Sequence, residues 1–387
     1  MVRCDACSVM STSVASQMGQ SQETPPLAYV PCLRWKMGEY QALLRSTEDV
    51  LNALVPIIEI AEIGFDFERG AASKTIDEHL SPVAKRVHDK LGRRTCFIDM
   101  RHVNPNERMA DGRHPAAFVF DGLREFSVPA LPVVDLRQDA ALSQALKDAA
   151  DSDGRGVCLR VTLTEIAGTQ FASQATELLE RLGAPPGVCD LVLDCEAPNF
   201  EPIDGFSSLL KNLIGRLPHL SEWRTLTVLG TAFPATTAEV PRGVSIVKRQ
   251  EWAAYKSLTA KLSASGLRVP RFGDYGVAHP ALVLRDPRFT KPNATVRYTV
   301  DDGWLIAKGN NVRDYKFEQY RDLCKTVTVS SSFEGSAFSF GDRYIEACAL
   351  GTESTGTLTT WRWVGTNHHL AKVVTDISTL GATSFSP

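Results

Sequence analysis

The residues best suited to chemistry in this chain stand at the ends of short apolar runs. Lys36 follows the first run, Glu59 and Glu62 the second, Asp99 and Arg101 the third, and Asp135 and Arg137 the fourth. Arg160 and Thr162 belong to the fifth, Asp194 and Glu196 close the sixth, Thr231 follows the seventh, and Asp274 and Tyr275 lie in the eighth. An ionised group among buried strands is expensive to desolvate unless it meets a counter-ion, a metal or a ligand. The pattern therefore predicts a ring in which Glu59, Asp99, Asp135 and Asp194 are interleaved with Lys36, Arg101 and Arg160, with Tyr275 beside them. Such a ring has three uses. It can neutralise itself as a salt-bridge lattice. Its carboxylates can hold a divalent cation, Mg²⁺ or Mn²⁺, that activates water. Or its basic groups can hold a phosphate or carboxylate while one acid, with Glu59 and Asp194 as the paired candidates, works as general acid or base.

Two further constellations lie near the C-terminus. Asn367-His368-His369 reads as part of a strand or loop running into a final helix; in a strand neighbouring side chains point to opposite faces, so one imidazole at most would reach a given site. His368 is then a candidate acid, base or phosphate donor, and His369 a ligand-binding candidate; no third ligand at a zinc-like spacing accompanies them. Asn293–Lys308 reads as a hairpin with Asp-Asp-Gly as its turn. Folded over the ring, it would bring Arg297 and Lys308 as a basic lid, and basic groups interleaved with Trp304 suit a nucleotide base.

The elements that must position these groups follow a regular alternation. The apolar runs are Tyr29–Trp35, Leu54–Ile60, Thr95–Met100, Ala130–Leu136, Val157–Leu163, Asp190–Cys195, Leu226–Leu229 and Arg271–Val277. Helical patterns separate them, at Glu39–Arg45, Thr75–Leu91, Phe118–Glu125, Ala140–Ala150, Phe171–Leu182, Phe206–Leu217 and Glu251–Ser265. Nearly continuous apolar runs are what strands buried on both faces require, and alternation with helices implies parallel pairing. Eight such units predict an α/β fold, a (β/α)₈ barrel over residues 28–285, whose charged strand ends would meet at the C-terminal mouth. An open doubly wound sheet is the competing architecture, but its glycine fingerprint is absent. Residues 286–387 read as an added segment of hairpin and helices packed on the barrel, and residues 1–27, rich in Ser, Gln and Thr, as a flexible leader.

Composition narrows the function classes. A net charge of −3 argues against an extended DNA-binding surface. No apolar stretch reaches the roughly 18 residues of a membrane span. Nine scattered cysteines without a secretory leader fit reduced thiols in a cytoplasmic protein, and the lone Cys4–Cys7 pair supplies half a zinc site at best. P-loop, HExxH and GxSxG motifs are missing.

Tyr29-Val-Pro31, Lys36 with Gly38-Glu39, Pro56-Ile-Ile-Glu59-Ile, Arg297-Tyr298, Trp304, Gly309, Trp361 and Asn367-His368-His369 together resemble the bacteriophage T4 beta protein family, which occurs in phages and bacteria. The resemblance runs from Tyr29 to the end of the chain; it implies domain extent and candidate positions, not a reaction. Three readings follow. The first is a hydrolase or lyase acting on a phosphorylated or nucleotide-like ligand. The second is a non-catalytic ligand sensor or subunit with a partner protein in phage–host conflict, that is, antiviral defence. The third is a docking module.

Overall fold

The computed structural model describes residues 28–281 and 289–384. The expected leader, Cys4, Cys7 and the expected boundary at residue 285 lie outside the described residues. Eight parallel strands close into a ring: β1 (Val30–Arg34), β2 (Ile57–Glu59), β3 (Cys96–Asp99), β4 (Ala130–Val134), β5 (Cys158–Thr162), β6 (Asp190–Asp194), β7 (Thr225–Leu229) and β8 (Arg271–Asp274), with β8 returning to pair with β1. All eight apolar runs are strands of this barrel, and the open-sheet alternative is excluded by the closure.

Period-two alternation sorts each strand. Val30, Cys32, Ile57, Phe97, Leu131, Val133, Cys158, Val192 and Leu229 fill one compact interior cluster. A larger cluster joins the strands' other faces to the surrounding helices. Helix starts are fixed by side-chain caps: Thr75 and Thr162 each form a reciprocal box with the Glu three residues on, and Asp139 caps Ala140–Asp153. The single helix expected over Thr75–Leu91 is two, Ile76–Leu80 and Val83–Leu91, separated at Pro82.

The hairpin forms from Asn293–Val300 and Gly303–Asn311 with Asp301-Asp302 at the turn. A third strand unforeseen in the sequence, Gly243–Lys248, pairs antiparallel with Gly303–Asn311, so the segment between β7 and β8 is tied into the C-terminal sheet. The strand or loop expected around Asn367 is instead part of one long helix, Leu358–Ser384. It packs on the first helix, Met37–Leu44, and on Asn293–Val300. Among the described residues no helix is long and apolar enough to cross a membrane, and the seven described cysteines are buried and unpaired.

Candidate ligand site at the barrel mouth

Strand register explains why acids and bases meet at one level. Arg34 sits opposite Glu59, Glu59 opposite Asp99, and Thr162 opposite Asp194 on neighbouring strands. From the far side Arg160 reaches into their midst. Its Nη1 donates to Glu59 Oε1 at 2.9 Å and Asp99 Oδ2 at 2.8 Å. Its Nε and Nη2 lie 2.9 and 2.7 Å from Asp194 Oδ2. Nη2 also donates to the Tyr275 hydroxyl, which is 2.8 Å from both Asp194 oxygens. Arg101 closes the assembly by donating to Asp99 at 2.8 Å. Side-chain exposure is 1% for Arg160, 4% for Glu59 and 1% for Asp194, so this centre is a buried, self-neutralising lattice.

Burial opposes ionisation of Glu59, but the His102 hydrogen bond at 3.3 Å and the Arg160 charge outweigh it and hold the carboxyl well below its usual range. The donor set does not fit a divalent cation: oxygens of Glu59, Asp99 and Asp194 converge on a guanidinium, not on an open point. Among the described residues no cluster of three or more His, Cys, Asp or Glu is arranged to hold a metal ion.

Not every expected ring member joins. Asp135 is engaged locally, accepting from the Arg137 amide, and burial raises its pKa. Lys36 turns outward to Glu62 at 2.6 Å. Beside the lattice opens a cleft of about 240 Å³ lined by Arg34, Lys36, Glu39, Glu59 and Tyr275, by the Phe233–Thr237 loop after β7, and by Arg297 and Arg362. Four cations and two carboxylates thus line it, but Lys36 is paired with Glu62 and Arg34 lies 3.7 Å from Glu59, which also serves Arg160.

Arg297 is the least compensated of the four. It rises from the hairpin strand with its guanidinium carbon 5.5 Å from the Phe233 ring centre. Its buried Nε has no hydrogen-bond partner among the described residues. Burial first, and then the like charge of Arg362, push its pKa down to about 9. It remains a cation at neutral pH, under electrostatic stress that a bound anion would relieve. Arg362 donates to the Val277 carbonyl at 3.0 Å and lies 3.9 Å from Glu39. Its path over the first helix requires Gly38, where a Cβ would come within 2.1 Å of Arg362 Cγ.

The other expected site residues act at a distance from the cleft. Lys308 donates to the carbonyls of Thr237, Ala238 and Val240 at 2.7, 2.9 and 2.6 Å, and so fixes the β7 loop that walls the cleft. Trp304 is fully buried and packs edge-on against Phe233, a support beneath that same wall. His368 lies in the C-terminal layer, bonded to Asp342 and to the Thr299 carbonyl, each at 2.8 Å. His369 meets Asp274 and Thr299 Oγ1, each at 2.9 Å, and thereby pins the long helix to β8. The two imidazoles are helix neighbours with different buried partners, not a strand pair with one face on the mouth.

Sequence reasoning passed over Arg34, His102, Glu39 and Arg362. Glu39 stood beside Gly38 in the family-like motif, and Arg362 stood between Trp361 and Trp363; those were the available signals.

No curated protein matches the chain. Among solved structures, triosephosphate isomerase from Bartonella henselae is 14% identical with a TM-score of 0.33, over 64% of this chain and 91% of that one. A Cellvibrio japonicus xylanase is 10% identical with a TM-score of 0.28, over 64% and 85%. These likenesses carry no functional weight. The Beta protein family model, by contrast, matches residues 29–375, nearly the whole chain, and the protein belongs to that family.

Proposed function

We propose that the protein binds a small phosphorylated ligand in the cleft beside the Arg160 lattice. The observation that carries this reading is Arg297, a guanidinium without a carboxylate partner, set beside Arg362 in a cleft where cations outnumber acids. Guanidinium groups match phosphate oxygens in geometry as well as charge. The binding reading fits better than hydrolysis by paired carboxylates, because Asp194 is enclosed by Arg160 and Tyr275 and His368 lies in another layer. A sensor or binding subunit is therefore favoured over the hydrolase or lyase. Glu59 adds no base to the cleft: locked to Arg160 with its carboxyl held well below the usual range, it is too weakly basic to take a proton.

Calorimetric titration with inorganic phosphate tests the reading. Arg297→Met is expected to weaken phosphate binding at least tenfold, on the order of the 1.5–3 kcal/mol of a charge-assisted hydrogen bond. Phosphate affinity unchanged in that variant refutes the assignment.

A further inference from the structure

A second cleft adjoins the first and shares Lys36 as a wall. Its volume is about 360 Å³, within the roughly 300–1,000 Å³ of small-molecule pockets. Its floor is apolar and aromatic, with Trp35 and Tyr40 in contact at 5.5 Å between ring centres and Ile60 and Val83 beside them. Its rim is the base of a small antiparallel hairpin after β2, Phe65–Asp66 with Ala71–Ala72, where Ser73 donates its amide to the Gly64 carbonyl at 2.7 Å.

Three residues of this cleft each carry a buried polar atom without a hydrogen-bond partner among the described residues: Trp35 Nε1, Glu62 Oε2 and His79 Nδ1. Buried polar groups are rarely left so, and three on one cleft call for a partner. Their roles are fixed. The indole N–H can only donate and the Glu62 oxygen accepts. His79 Nε2 lies 2.7 Å from the Ala61 carbonyl, which can only accept, so Nε2 carries the proton. Burial lowers the His79 pKa, so the ring is neutral and Nδ1 is an acceptor. The set is one donor and two acceptors against an aromatic floor. That complements a flat heterocycle whose edge offers amino protons beside a ring nitrogen.

We infer that this cleft is a nucleobase subsite, and that the ligand of the mouth is a nucleoside phosphate whose base lies over Trp35 and whose phosphate lies at Arg297. The inference rests on the phosphate reading of the neighbouring cleft and adds the identity of the group beyond the phosphate.

Titration calorimetry with AMP, adenosine and inorganic phosphate on the full chain separates the two. AMP is expected to bind at least tenfold more tightly than phosphate. Trp35→Phe, which removes only the indole N–H and some bulk, and Ser73→Trp, which blocks the rim from an exposed position, are each expected to bring AMP down towards the affinity of phosphate while phosphate itself is unaffected. AMP binding no tighter than phosphate overturns the base subsite while leaving the Arg297 site standing, as does AMP affinity that neither substitution changes. Adenosine binding that Ser73→Trp abolishes, in a protein that takes no phosphate, supports the base subsite and overturns the phosphate reading.

Discussion

Two arginines a few residues from the same cleft have opposite surroundings. Arg160 is enclosed by Glu59, Asp99, Asp194 and Tyr275, each within 2.9 Å. Arg297 touches an aromatic face and a second cation's field, with no acid of its own. The first arrangement spends its charge inside the protein and fixes three strand ends relative to one another. The second leaves charge available at an opening. A ring of ionised residues at a barrel mouth is thus not one device; its centre is architecture, and its margin carries the charge on which the phosphate proposal rests.

The comparison predicts unequal responses to losing either guanidinium. Arg160→Leu strands three buried carboxylates, and removing one partner of a buried pair costs about 3–5 kcal/mol. Arg297→Met removes a charge that has no ion pair, so its unfolding free energy should stay within about 1 kcal/mol of the parent or rise. Urea denaturation measures both. Equal losses in the two variants would erase the distinction drawn here.

A smaller effect is expected at Gly38. A methyl group there meets Arg362 Cγ at 2.1 Å, so Gly38→Ala must displace the arginine or the helix, at an overpacking cost of about 1–3 kcal/mol. Phosphate affinity should fall along with stability. Stability loss with undiminished phosphate binding would show that Arg362 contributes nothing to the cleft.

A pH-dependent effect is expected at Glu251, a buried acid that lacks the cationic enclosure of Glu59. Burial, opposed by Arg249 3.6 Å away, raises its pKa from 4.5 to about 8. In the unfolded chain Glu251 is deprotonated above pH 4.5 or so, whereas the folded protein keeps the proton until about pH 8. The folded state binds more protons in that window. Glu251 therefore favours folding most below the unfolded value, and its contribution is lost as pH rises to about 8, by at most about 1.4 kcal/mol per pH unit. Glu59, shifted the other way, stabilises above the usual carboxyl range and loses its effect as pH falls. Glu251→Gln should flatten the decline between pH 6 and 8 relative to the parent protein. An unaltered slope would place the proton elsewhere.

The barrel was legible because strands buried on both faces leave continuous apolar runs, and the lattice because period two puts Glu59, Asp99, Arg160 and Asp194 on the inner face at one height. The cleft was harder to read. Arg297 and Lys308 look equivalent on the hairpin, and only the tertiary contact of Lys308 with three loop carbonyls separates a wall support from an open cation. A final helix is legible at the end of the chain, but its first half is not, because almost every side chain from Trp361 to Val373 is buried. Enclosed on all sides, it shows no polar stripe, and without that stripe helical periodicity has nothing to register against. Without it, nothing in the sequence distinguishes helix neighbours from strand neighbours at His368 and His369, or marks Arg362 as facing the cleft.

The long helix has one more consequence. Asn367 clasps the Ala42 carbonyl at 3.0 Å across 325 positions of chain, and the helix that carries it also brings Arg362 to the lip built by β1. During synthesis all eight staves of the barrel leave the ribosome before this last piece is made. Until that piece docks, the main core lacks Leu370, Val373 and Ile377 and the cleft lacks Arg362, so on the proposed reading the anion site is completed last.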